Sequence, residues 1–198
     1  MRFLIRTGST LKFPDTDPIG SSIRCNWAQN HVNLGDQDSL WFTDGSKTES
    51  GCGLSIYGPN TRISMPLGPD TSVFQTEIMA VTHCVTDCRK YLATNTRITI
   101  LSDSQAVLKA LNSPRCTSKL VLDCRKALNG LADSSPVTLI WVPGHTNIEG
   151  NNICDSLAKE AARTPFTGPL PTCSLTKNQV REMLKTRADG EFRKLWLA

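Results

Sequence analysis

Residues 40–66, LWFTDGSKTESGCGLSIYGPNTRISMP, decide the fold class. Three apolar, β-prone runs, 40–43, 52–57 and 62–66, are separated by Asp-Gly-Ser-Lys and by Gly58-Pro59-Asn60. Glycine and asparagine tolerate the backbone angles of tight reversals and proline pre-sets φ, so the stretch predicts an antiparallel meander of three short strands. At Val73 the period changes. Phe74, Ile78, Val81, Val85 and Cys88 recur every three or four residues, the apolar stripe of an amphipathic helix that runs to about Tyr91. Residues 97–102 are strand-like again, and Ser102-Asp103-Ser104 supplies N-cap oxygens for a helix through Leu111 that ends near Pro114. Helix, strand and helix follow at 118–131, 137–142 and 150–162, before Pro165. The order β-β-β-α-β-α-α-β-α predicts an α/β fold with a five-stranded mixed sheet, an antiparallel meander and then parallel strands, with helices on both faces.

The flanks read differently. Residues 1–38 hold Pro14, Asp15, Asp17, Pro18, Gly20, Asn33 and Gly35 without periodicity, which predicts an extension or linker with little packed structure. Residues 39–164 form the expected domain, and 165–198 a basic, partly helical tail. Of the net charge of +4 on 198 residues, +3 lies in that tail, where Lys177, Arg181, Lys185, Arg187, Arg193 and Lys194 face three acids. Such a tail is either a contact for a phosphate backbone or a solvated helix face.

Composition excludes several classes. With 39% hydrophobic and 20% charged residues the chain can bury a core and is not disordered. No run approaches the ~18 apolar residues of a membrane span, and the opening MRFLIRTGSTLKFPD is too short in apolar residues for a secretory signal. The eight cysteines lack the paired spacing of a zinc site; Cys84 and Cys88 share one helix face and read as core. Reduced thiols, a monomer, and an intracellular location, nuclear or cytoplasmic, are expected.

The informative residues are acids in places where acids are costly. Asp44 follows the apolar strand residues Trp41 and Phe42, and Asp103 ends the strand Ile98-Thr-Ile-Leu101 in the same way. Glu77 lies on the border of the apolar helical stripe, and Asp155 sits beside Cys154, Leu157 and Ala158 on the last core helix. Carboxylates gathered near a core repel one another and lose hydration unless a cation offsets their charge. Hard oxygen ligands suit Mg²⁺ or Mn²⁺, and two such ions roughly 4 Å apart activate a water and stabilise a leaving oxygen in phosphodiester hydrolysis. His145 lies in the Gly-containing loop Trp141-Val-Pro-Gly-His145, ten residues before Asp155, where it can move protons near neutral pH or help product leave. Taken singly, Asp103 reads as an N-cap, Asp44 as a turn residue and His145 as a surface residue.

Together they carry a family resemblance. Thr43-Asp44-Gly45-Ser46, Glu77 on the first helix, Ser102-Asp103-Ser104-Gln105, and Gly144-His145 through Gly150-Asn151 to Asp155 resemble the four-carboxylate signature of the ribonuclease H family, over about residues 39–164. Within that family, Trp41 to Lys47, Val73 to Glu77 and Trp141 to His145 are most similar to the ribonuclease H domain of non-LTR retrotransposon polyproteins, where it follows a reverse transcriptase. The resemblance implies that Asp44, Glu77, Asp103 and Asp155 ligate two Mg²⁺ ions, for which Mn²⁺ can substitute, and that His145 assists turnover. It implies further that Ser46, Gln105 and Asn151 touch nucleic acid or orient the site. The implied substrate is the RNA strand of an RNA–DNA hybrid, selected by 2′-hydroxyl contacts and shape. Val73 and Phe74 depart from an Asn pair common in cellular members, and the segment after the second helix has no room for a basic, Trp-bearing protrusion.

Two alternatives stand beside this reading. A transposase or integrase of the same fold also begins with a strand Asp, but closes its site with a late-helix Glu instead of the His145 and Asp155 pair. A catalytically weak or inactive nucleic-acid-binding module is the other; the presence of all four acids weighs against it.

Overall fold

The computed structural model describes residues 2–5, 38–91, 96–146, 148–168 and 177–196. The strands are β1 Arg2–Ile5, β2 Asp38–Lys47, β3 Cys52–Gly58, β4 Thr61–Gly68, β5 Arg97–Ser102 and β6 Val137–Trp141. The helices are α1 Val73–Tyr91, α2 Gln105–Asn112, α3 Lys119–Ala132, α4 Glu149–Arg163 and α5 Lys177–Trp196. One sheet runs in the order β1-β6-β5-β2-β3-β4. The meander β2-β3-β4 is antiparallel, and β2, β5 and β6 are mutually parallel.

The expected mixed sheet is present, with helices on both faces. The β3–β4 reversal uses only Pro59 and Asn60, and Asn60 takes the left-handed φ of 57° that its short polar side chain tolerates. A sixth strand stands where little packed structure is expected: Arg2–Ile5 pairs antiparallel with β6 at the sheet edge. A four-residue run shows no usable periodicity, and its strand character comes from the open edge of β6. The rest of the expected extension, residues 6–37, lies outside the described residues. In the tail, α5 forms a helix, and apolar Met183, Leu184, Phe192 and Trp196 are exposed along it.

Alternation along β2 divides the core. Trp41 is fully buried on one face among Ile56, Ile98 and Ile100, under Ile78, Val81 and Val85 of α1 and Leu128 of α3. Phe42 faces the other way with Leu101 and Ile140, against Ile148 and Cys154 around the start of α4. A central strand covered on both faces reads as a continuous apolar run, as Leu40-Trp41-Phe42 does. Cys84 and Cys88 lie in the first cluster, as core residues, and burial pushes the Cys84 thiol well above its ordinary range.

The approach of α4 to the sheet is close enough to require small residues. A Cβ at Gly53 would lie 2.3 Å from the Ala162 nitrogen and 2.4 Å from the Ala161 Cβ, and one at Gly150 would lie 2.2 Å from the Phe42 ring. Ser55 Oγ donates to the Cys154 carbonyl at 2.7 Å, and Ser64 Oγ to the Leu157 carbonyl at 2.9 Å, tying β3 and β4 to the helix that carries Asp155. Gly53→Val is therefore expected to wedge α4 off β3 and cost ~3 kcal/mol or more. Urea titration reads it as a lower midpoint at an unchanged slope.

Candidate active site

Sheet register brings the first two acids together. Thr43 of β2 is paired with Ser102, the last residue of the parallel neighbour β5, so the next residues, Asp44 and Asp103, stand side by side where β5 ends and β2 runs on to Lys47. Asp44 stays in the sheet through its pairing with Ser55 and is 8% exposed. The strand ends of an open α/β sheet are where loops diverge and leave a crevice.

Glu77 comes from α1. A capping box starts α1: Gln75 Oε1 accepts from the Ser72 N–H at 3.0 Å, and Ser72 Oγ accepts from the Gln75 N–H at 3.3 Å. The helix then meets β2 at Gly45, where a Cβ would lie 2.8 Å from both the Glu77 Cγ and the Glu77 nitrogen. Glycine at 45 is what lets Glu77 reach the strand ends. Its Oε2 accepts from Ser104 Oγ, which also caps α2 by accepting from the Val107 N–H. Ser104 thus orients Glu77, a role that its N-cap signature did not reveal.

Asp44, Glu77 and Asp103 each place a carboxylate oxygen within 4.8 Å of the others. The electrostatics follow from that crowding. Desolvation by burial raises the Asp44 pKa to about 6, with the Asp103 charge adding to it. Desolvation likewise raises Glu77 to about 7, opposed by the Ser104 hydrogen bond and reinforced by Asp44 and Asp103.

These shifts give a signed expectation. Both groups bind protons more tightly folded than unfolded, so the metal-free fold is most stable below their unfolded values and loses stability as pH rises through about 4 to 7. The loss is on the order of 3 kcal/mol for each group, less for the second because the two carboxylates raise one another. Denaturant midpoints in a chelator should fall across that window. Saturating Mg²⁺ should restore ~1–3 kcal/mol at neutral pH and little at pH 4.5.

The remaining expected residues surround the trio at different distances. The loop after β6 lies against Asp103: a Cβ at Gly144 would be 2.9 Å from Asp103 Oδ2, so a side chain there would push on that carboxylate. His145 follows it, exposed and in the left-handed region at φ 55°. Trp141 Nε1 donates to the Asp103 carbonyl at 3.0 Å and secures the loop's base. Asn151 is 2% exposed and directs Nδ2 at Asp103 Oδ2, 3.5 Å away, while its buried Oδ1 has no hydrogen-bond partner among the described residues. Ser46 is half-buried in β2, and Gln105 is exposed as the first residue of α2. Asp155 is not a member of the trio. Its Oδ2 is held by Lys159 Nζ at 2.6 Å, an i,i+4 pair on α4 whose signal in the sequence is the four-residue spacing from Asp to Lys.

A family model described as RNase H matches residues 36–163, a span that contains the trio, His145 and Asp155. The chain belongs to the ribonuclease H family. The matched span of this ribonuclease H chain runs from the start of β2 to the end of α4. Its fold is similar to that in a solved structure of the foamy viral protease-reverse transcriptase in complex with dsDNA, with a TM-score of 0.50 and 20% identity, covering 63% of this chain and 93% of that one. No curated protein matches the chain.

Proposed function

We propose that this ribonuclease H chain hydrolyses the RNA strand of RNA–DNA hybrids internally, through two Mg²⁺ or Mn²⁺ ions. The observation that carries the reading is the convergence of Asp44, Glu77 and Asp103, from β2, α1 and the end of β5, within 4.8 Å. The donor set fits a hard divalent ion, because three carboxylates this close, two of them already pushed toward protonation, lack only a cation to offset them. Asp44, Glu77 and Asp103 would hold the metal, with Asp155 contributing from α4. When bound, the ions supply Lewis acidity and lower the pKa of an attacking water.

The chain's own residues do the rest. Ser104 fixes the Glu77 carboxylate, Gly45 and Gly144 let α1 and the His145 loop approach the strand ends, and Asn151 restrains Asp103. His145, exposed above that loop, moves a proton at its imidazole or helps product leave. Ser46 and Gln105, each two positions after one of the acids, suit contacts to the hybrid. We read residues 39–164 as the nuclease domain, acting as a monomer inside the cell, and the parent as a retroelement polyprotein with a reverse transcriptase. Among the described residues no helix is long and apolar enough to cross a membrane.

A weak or inactive binding module is the second reading. It is favoured by the departures near the site: exposed Val73 opens α1, and α2 and α3 are joined by residues 113–118 alone, with no basic protrusion. The two are separated by incubating the purified chain with labelled RNA–DNA hybrid, RNA duplex and DNA duplex, with and without Mg²⁺. The nuclease reading expects cutting of the hybrid's RNA strand only, and only with metal. Equal cutting in a chelator, or of the DNA duplex, removes it.

A further inference from the structure

The fourth acid already has a cation. Lys159 stands one helical turn after Asp155 on α4, with Nζ 2.6 Å from Asp155 Oδ2. The pair is not remote from the trio, because both charges are felt at Asp44: Asp155 raises its pKa and Lys159 lowers it. The Asp155 side chain is 26% exposed and that of Lys159 43%, so the ion pair is neither in bulk solvent nor sealed off.

We propose that Lys159 is a tethered cation that holds Asp155 until a divalent ion arrives, a positioning residue that weakens binding of the second metal ion. The inference rests on the metal reading above. An ion that takes Asp155 as a ligand must either share it with the ammonium or displace it, and in both cases two positive charges come close. The first ion, held by the trio alone, does not face that competition. Lys159 therefore separates the two binding steps, keeping the site half-filled at metal concentrations that would otherwise saturate it.

An i,i+4 pair on a helix surface is worth little by itself and has no reason to affect metal binding. The two roles differ in what they move. Mn²⁺ binding to the full chain without nucleic acid, followed by calorimetry at low ionic strength, resolves the steps. Lys159→Met keeps the aliphatic stem and removes the charge, and Lys159→Arg keeps the charge. The expected result is a second step about tenfold tighter in Lys159→Met, a first step within about twofold of wild type, and wild-type behaviour in Lys159→Arg. The gain should shrink in high salt. A second step unchanged or weaker, or both steps shifting together, overturns the proposal while two-step binding by the wild type leaves the metal reading standing. A wild-type chain that binds no Mn²⁺ overturns both.

Discussion

Asp44→Asn is expected to lower the rate of hybrid cleavage by at least ~10³-fold, equivalent to ~4 kcal/mol of lost transition-state stabilisation, while the protein stays folded. Asp44 is the acid most enclosed by the sheet, and an amide of the same shape cannot offset a divalent cation there. The same change should act on stability in the opposite sense. Without metal, Asp44 is an ionisable group held against its own burial and the Asp103 charge, so replacing it by a neutral amide should raise the denaturation midpoint at pH 7 and flatten its pH dependence. Added Mg²⁺ should then stabilise the variant little. Single-turnover cleavage, chemical denaturation in a chelator and metal titration read the three effects separately. A variant that is inactive because it is unfolded would show the reverse stability change, so the sign distinguishes a lost ligand from a broken fold. Asp103→Asn should behave alike, because sheet register makes it the neighbour of Asp44.

His145→Ala should lose ~10²–10⁴ in rate and keep Mg²⁺-dependent residual activity, the range for a group that moves a proton and holds no metal. His145 is exposed and outside the trio, so metal affinity should match wild type. The backbone complicates a simple truncation. At φ 55° most side chains are strained, and alanine can shift the loop as well as remove the imidazole. His145→Asn supplies the control, because asparagine tolerates that region and cannot act as an acid or base near neutral pH. If both variants lose rate equally with unchanged metal binding, the imidazole carries the effect. Restoration by asparagine would mean that loop geometry is what matters, and loss of metal binding in both would make His145 a ligand.

The elements of the central domain were legible because their causes are local. The change from alternating runs to the three-and-four spacing of Phe74, Ile78, Val81 and Val85 marks α1, and Ser104 marks the start of α2 as a side-chain cap whatever the rest of the chain does. The two strand-ending acids were visible for the same reason: an Asp directly after an apolar strand is anomalous within a few residues of itself. β1 was not legible, because four residues become a strand only when β6 offers an open edge.

Which acids exist, on which kind of element, and in what order was determined by the sequence alone, and so was the chemistry that such a set of hard oxygen donors supports. Which acids meet was decided by the tertiary structure. Asp44 and Asp103 are 59 positions apart and become neighbours through the parallel register of β2 and β5, while Glu77 joins them because Gly45 admits α1 so closely. The tertiary structure also brought Asp155 within electrostatic reach of Asp44 and paired it with Lys159. Carboxylate repulsion and desolvation act over a few ångströms of space and not along the chain, so only the packed sheet and helices could set which of the four share a charge and which has a partner of its own.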